Sequence, residues 1–450
     1  MRCILYAAAG ALVLTAGPAL AQPTATTVVP TPFLTLVQTA LAVSPSAQIP
    51  SRERAIAALD LDTARMRASA LGTLDAAAST TLHQSGTARD LGPSVSVQYA
   101  ILDGGLRAAE AAIARTEGGE ADQDARIAAL AVFSAVGSAY NALWLAQQDV
   151  RVVRDLKARI DRDLQTLRNA RRVGIVGEID VDRAAAESQA EATVLLQAQS
   201  DERLQRAVLN VLINRQPASP LVALPDLGLA LPPFGNAAEA IDAATAANPQ
   251  ALRDELAVAA AQGAVDVQRA ALRPTLTLAS SASYDVLNPN LATGAAAVPS
   301  LGAGAYRLAA QLGLGFSQHL FDFGVTRRAI ARAELEKSIT GLTLDQERQS
   351  LATQAASAFY TWQQSGVNVG SAAAQEQLAA RVFAISSRAQ RAGETSYFEV
   401  ASDEQSLFNA EITTVAASVM IHEFVKETPT IFENMASAVA VQTNGLAAVL

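Results

Sequence analysis

The chain is short of most of the residues that enzymes and nucleotide-binding proteins depend on. Its 450 residues include one cysteine, Cys3, and three histidines, His83, His319 and His422. These are too few and too scattered for a metal cluster or a Cys/His nucleophile pair. Lysine occurs only at Lys157, Lys337 and Lys426, and the formal net charge is -9 at pH 7, so the basic footprint of a nucleic-acid binder is missing. There is no Gly-x-x-x-x-Gly-Lys, which removes a Walker nucleotide site. No catalytic residue, cofactor or metal is therefore expected. Aromatic residues are 5% of the chain while hydrophobic residues are 50%, a balance that suits long helices packed through small side chains. Beyond residue 21 no uninterrupted apolar run reaches the ~18 residues a spanning helix needs.

What is present begins with an export signal. Met1-Arg2, an almost wholly apolar stretch over 4–16, and Ala19-Leu20-Ala21 ahead of Gln22 predict a secretory signal peptide over 1–21. Cys3 falls inside it, so the exported chain has no cysteine and no disulfide. Such a chain either stays soluble beyond the inner membrane or enters a membrane as strands.

The two halves of the chain repeat. Asp103-Gly104-Gly105 recurs as Asp322-Phe323-Gly324, Ser138-Ala139-Tyr140 as Ser357-Ala358-Phe359, Val173-Gly174 as Ala392-Gly393, and Ile179-Asp180-Val181 as Phe398-Glu399-Val400. All four pairs keep one offset (322 − 103 = 219), and so coherent a register marks a tandem duplication. Upstream, Ala70-Leu71 matches Ala271-Leu272 at a smaller offset, so copy two carries extra residues between 272 and 322, best placed in the Asn288 to Gly304 loop. The expected organisation is a linker over 22–33, repeat 1 over 34–214, a linker over 215–236, repeat 2 over 237–425 and an unassigned tail over 426–450.

Each copy opens with a helix, 34–71 and 237–272, the second interrupted at Asn248-Pro249. Alternating strands follow. Tyr306, Leu308, Ala310, Leu312, Leu314 and Phe316 interleave with Arg307, Gln311, Gly313, Gly315 and Ser317, a period of 2 long enough to cross a bilayer as a tilted strand. Its expected partner, 274–285, places Leu276, Leu278, Ala282 and Tyr284 on one face. In copy one Val95, Val97, Tyr99 and Ile101 alternate with Ser94, Ser96 and Gln98 over 93–102, and a weaker strand covers 73–83. An ordinary soluble hairpin half-buried on a core has the same alternation. The intervals Gly105 to Gly174 and Gly324 to Gly393 contain no proline and space apolar residues at three and four, as in Phe133, Val136, Tyr140 and Leu143. As single helices they are about 100 Å long. Gly174 and Gly393 then mark reversals into returning helices at 179–214 and 397–425, since a reversal needs a left-handed residue. Four strands cannot close a barrel, and open edges are forbidden in lipid, so insertion requires strands from several chains.

The chain resembles the TolC family of outer-membrane efflux and secretion proteins. The likeness rests on Asn248-Pro249, on the junction Leu272-Arg273-Pro274-Thr275-Leu276, and on Gln318-His319-Leu320-Phe321-Asp322-Phe323-Gly324 ahead of Arg327, Arg328 and Ala333. The two tips add Arg172-Val173-Gly174-Ile175 and Arg391-Ala392-Gly393-Glu394, each with an acid six positions after the glycine. The resemblance implies an α+β membrane protein. Tandem-duplicated long helical hairpins would form a periplasmic α-barrel, and four strands per protomer would join a trimeric twelve-stranded β-barrel in the outer membrane of a Gram-negative bacterium. It also implies a homotrimer that docks on a periplasmic adaptor joined to an inner-membrane transporter or secretion ATPase, through the tips Val173, Gly174, Ile175, Ala392, Gly393 and Glu394. Gly72, where the family places proline, and the Ala-Gly-Glu second tip depart from its pattern. In a three-fold tube Asp180, Glu399, Ser402 and Asp403 become rings at the narrow end, with Arg172 or Arg391 available to hold it closed. Acids in the first turn of a helix equally favour the macrodipole. Drug efflux and type I secretion are not separated at this stage, and a secreted soluble helical-repeat structural protein is the alternative.

Overall fold

The computed structural model describes residues 32–68, 73–81, 89–223, 234–288, 305–319 and 321–427. The expected signal peptide, the 289–304 loop and the tail beyond 427 lie outside the described residues, as do parts of both linkers. Copy one runs α1 (Phe33–Val43), α2 (Pro45–Ala68), β1 (Thr73–Thr81), β2 (Arg89–Asp103), α3 (Leu106–Arg172) and α4 (Glu178–Leu212). Copy two runs α5 (Ala237–Ala247), α6 (Pro249–Ala270), β3 (Thr275–Asn288), β4 (Ala305–Ser317), α7 (Val325–Ala392) and α8 (Tyr397–Glu427).

The opening helix is broken in both copies, not only at Asn248-Pro249. Pro45 and Pro249 each start a new helix, because proline has no N–H to continue the previous one. Ser44 and Asn248 ahead of them are extended, and the Asn248 side chain accepts a hydrogen bond from the Gln250 N–H at 2.8 Å. Sequence reading expected an unbroken helix over 34–71, since Ser44-Pro45 sits in a less marked context than Asn248-Pro249.

The strands form one antiparallel sheet in the order β1-β2-β3-β4. In register, Tyr99 pairs with Leu278 and Leu278 with Leu314, and Leu102 pairs with Leu276 and Leu276 with Phe316. The intervening rows hold Ser96, Ser281 and Gln311, then Gln98, Ala279 and Gly313. One face is therefore apolar and the other small and polar. A bulge between Ala100 and Leu102 passes the apolar face from Tyr99 to Leu102, so Ile101 leaves the alternation it was expected to keep.

β2 and β4 each enter a long helix through the same elbow. The Asp103 carboxylate accepts from the N–H groups of Gly105 (3.0 Å) and Arg107 (2.9 Å), and Asp322 does the same for Gly324 (2.9 Å) and Thr326 (2.7 Å). These bonds satisfy N–H groups that a helix start leaves open. Gly104 is left-handed, and a Cβ there would lie 2.7 Å from the Ala270 carbonyl oxygen, so copy two packs directly on it. Its counterpart Phe323 takes the same left-handed turn (φ 53) in open space.

The helices line up in a row. α3 packs against α2 and α4, and also against α6 and α8, and α7 packs against α6 and α8. The principal core lies at the head of copy one. Phe33, Leu36, Val37 and Ala40 of α1, at helical spacing, bury against Phe133, Val136, Tyr140 and Leu143 of α3. The Phe33 ring meets Phe133 edge-on at 5.3 Å. A window of α3 is long and apolar enough to cross a membrane by length and composition. It is not the uninterrupted apolar run that a spanning helix was expected to need, since Gly, Ser and Asn break it without making it polar. Half of that window is buried within the protein, and a helix packed in this way is a core helix.

Candidate functional site

Both hairpin tips are closed by the same backbone device. At the first, Ile175 N–H donates to the Ala170 carbonyl (3.0 Å) and Gly174 N–H to that of Arg171 (2.9 Å), with Gly174 at φ +79. At the second, Glu394 N–H donates to Ala389 (2.9 Å) and Gly393 N–H to Gln390 (2.9 Å), with Gly393 at φ +80. This is the Schellman closure, whose left-handed residue favours glycine. The two tips differ in what they display. Val173 and Ile175 are 70% and 78% exposed, and Ile179 extends this apolar knob. Arg171 crosses the turn to Glu178 at 2.9 Å. Ala392, Gly393 and Glu394 are exposed but offer no large apolar side chain.

The residues expected to gate are not drawn together within the chain. Arg172 bonds to Asn169, and Arg391 donates to the Ser387 carbonyl of its own helix at 3.1 Å. Glu399 is exposed, receives a bond from Thr395, and donates its own N–H to the Ser396 hydroxyl at 3.3 Å. These are the bonds of a helix start. Asp180 is half-buried at the third position of α4, beside Gly177, Ser402 is exposed and Asp403 is half-buried.

Above the tips, three helices meet in a seam. Leu164, Leu167, Val181 and Ala184 pack with Val176 and Tyr397. Higher up, Val152, Val153, Leu156 and Ile160 of α3 pack with Phe408 of α8. Arg183 lies 5.3 Å from the centre of the Phe398 ring, tying α4 to the start of α8. Between these apolar patches Glu404 is 4% exposed. Its partner is Arg159 of α3 at 3.3 Å, whose guanidinium also approaches Glu411 at 3.9 Å. Burial pushes the Glu404 carboxyl up to about 7; Arg159 and Arg162 oppose this, and Asp163 and Glu187 add to it. Burial likewise raises Asp163, Glu187 and Glu411.

At the other end, the apolar face of the sheet is open. Leu312, Leu314 and Phe316 are exposed, Leu312 by 77%. Phe321 and Phe323, at the foot of β4, form an exposed edge-to-face pair 4.6 Å apart.

Residues 240–421 match the family model for the outer membrane efflux protein. The match spans the second copy of the duplication. The fold is that of the outer membrane protein VceC of Vibrio cholerae, at TM-score 0.73 and 17% identity over 89% of this chain and 95% of that one. It is similar also to the CmeC outer membrane channel of Campylobacter jejuni, at TM-score 0.70 and 16% identity, covering 90% and 88% of the two chains. The MtrE outer membrane channel of Neisseria gonorrhoeae, in its open state, matches at TM-score 0.68 and 17% identity, covering 89% and 88%. No curated protein sequence matches the chain.

The Glu404 cluster was not evident from sequence, where its neighbour Asp403 was the candidate. A signal was available. Glu404 falls four residues after Val400 and four before Phe408, both buried, and therefore sits in the apolar stripe of α8. An acid there has to be buried, whereas Asp403 turns away.

Proposed function

We infer that the protein is a passive exit duct, built from several copies, that conducts solutes from the periplasm across the outer membrane. The observation that carries this reading is that sheet and helices are open on the same two flanks. β4 leads into α7, and α2 leads into β1. The sheet ends at β1 and β4, and the helical row ends at α2 with α4 and at α7. α7 exposes Leu335, Ile339, Leu342, Tyr360, Val367, Leu378 and Ile385. At about 100° per residue these lie within roughly 40° of one line along the helix. The facing flank exposes Ile56 and Leu59 on α2 and Leu204, Val208 and Val211 on α4. Two unlike flanks that both need covering make a head-to-tail contact, which closes into a ring. Three copies and twelve strands are the count the family resemblance implies.

The sheet supplies the orientation. Its apolar face meets lipid, its Ser, Gln, Thr and Gly face lines the water-filled bore, and Phe321 with Phe323 sits at the interface where aromatic girdles form. The helices then project into the periplasm. Nothing among the described residues supplies an energy source, so transport is driven by an inner-membrane transporter or secretion ATPase through a periplasmic adaptor. The cargo is a small molecule or a polypeptide, chosen by that pump. We place the adaptor contact at the tips, mainly on the Val173 and Ile175 knob.

Outer-membrane fractionation followed by cross-linking in mild detergent tests the duct. The expected product is a trimer in the outer-membrane fraction, and a monomer alone removes the reading. For docking, Gly174→Arg or Gly393→Arg should leave the trimer intact and abolish export; intact export refutes the contact. Loss of trimer and export together would reduce both glycines to turn residues.

A further inference from the structure

We propose that the seam between the first hairpin and α8 is proton-responsive, with Glu404 as its sensor: the seam tightens when Glu404 takes up a proton and loosens when Glu404 is charged.

The geometry sets this apart from an ordinary surface ion pair. Glu404 lies on α8, its cation Arg159 on α3, and Glu187 approaches from α4. The pair therefore joins the two duplicated hairpins, with Glu404 buried and the Arg159 side chain reaching water at one edge. Glu404 Oε1 has no hydrogen-bond partner, and Arg159 Nε has none either, so at 3.3 Å the pair is ionic without the bonds that would satisfy both groups. A buried ion pair with incomplete hydrogen bonding does not recover its desolvation penalty. Every element packed here adds charge. α3 brings Arg159, Arg162 and Asp163, α4 brings Glu187 with Glu191 beside it, and α8 brings Tyr397 and Glu411. α7, which packs on α8, sets Glu376 near Glu411. Acids outnumber cations, and burial raises each of Asp163, Glu187, Glu404 and Glu411.

The direction follows from linkage. A carboxyl at about 7 in the packed seam and 4.5 outside it binds a proton on packing anywhere between those values. Packing is therefore favoured as pH falls through about 7 towards 4.5, and this advantage is lost as pH rises above 7. That is the opposite of a simple salt-bridge latch, which acid would release.

The test is a distance measured on the assembled, membrane-embedded protein. Spin labels at Ala190→Cys on α4 and Ser406→Cys on α8, both exposed positions, are introduced and diluted with unlabelled chains. Between pH 5.5 and 8.5 the short-distance population should fall as pH rises, with a midpoint near 7. Glu404→Gln, which keeps the shape but not the charge, should hold the short distance throughout. Arg159→Gln should move the midpoint up by roughly one pH unit, because an attractive charge is lost; a merely structural role for Arg159 would leave it in place. A flat wild-type curve, or a Glu404→Gln curve that follows wild type, overturns the proposal. The readout does not depend on conduction, so failure of the duct reading leaves the seam result standing, and the reverse also holds.

Discussion

α3 and α7 are the same helix twice, 67 and 68 residues long with the same acidic elbow at the start and the same closure at the end. Their surroundings have made them different objects. Where α3 buries Phe133, Val136, Tyr140 and Leu143, the matching positions of α7 are Ala352, Ala355, Phe359 and Trp362, and the small core there is built on Ala240, Ala244 and Ala355. α3 has neighbours of its own chain on both sides and exposes no large apolar residue along its length, whereas α7 exposes a line of them. Duplication preserved the backbone. The side chains then diverged with the cover that each helix finds within the chain.

That contrast can be broken at several points. Tyr140→Ala in α3 should cost about 3–5 kcal/mol of stability, in line with deletion of a fully buried ring, and Phe359→Ala in α7 about half that, since Phe359 is only half-buried. Chemical unfolding of the solubilised protein reads the difference, and equal costs would mean that α7 is as internal as α3. Leu342→Arg combined with Val367→Arg should leave helix content unchanged, because both side chains are exposed in the chain, while removing most of the cross-linkable oligomer. An intact oligomer would show that the line of apolar residues along α7 covers nothing.

The tips sharpen the comparison at smaller amplitude. Gly174→Ala and Gly393→Ala force a Cβ into a left-handed residue and should each cost about 1–2 kcal/mol, with no clash added because neither Cβ meets an atom within 4 Å. The smallest effect is expected at the acids. Asp180→Asn and Glu399→Gln should cost a few tenths to about 1 kcal/mol if they serve the helix dipole. Single-channel recording separates the roles, since a ring at the narrow end would alter cation selectivity upon neutralisation, as would Asp403→Asn.

The fold was legible because its signals are local. A period of two over Tyr306–Phe316, glycine at each reversal, and an Asp-x-Gly elbow repeated at one offset need no knowledge of what packs where. The break at Ser44-Pro45 was also local, yet 34–71 holds both Pro45 and Pro50, and only Pro45 ends a helix, as its counterpart Pro249 does. The seam at Glu404 was hidden for a different reason. Its burial comes from α3 and α4, more than two hundred residues away in sequence, and only the apolar spacing of Val400, Glu404 and Phe408 hinted at it. The difference between α3 and α7 was illegible in the pattern alone, since an apolar stripe does not say which chain will cover it.

The sheet order β1-β2-β3-β4 leaves one unpaired edge at each end of every chain. In the proposed ring those edges would lie in lipid, where they have no substitute partner, so a ring lacking one sound member would be not a weaker pore but no pore at all. A cell making equal amounts of intact and edge-damaged chains would assemble, under three-fold closure, roughly one wholly intact ring in eight. Damage confined to β1 or β4 should therefore behave as a genetic poison, dominant over the normal copy, whereas damage that unfolds α3 removes its own chain from the pool and stays recessive.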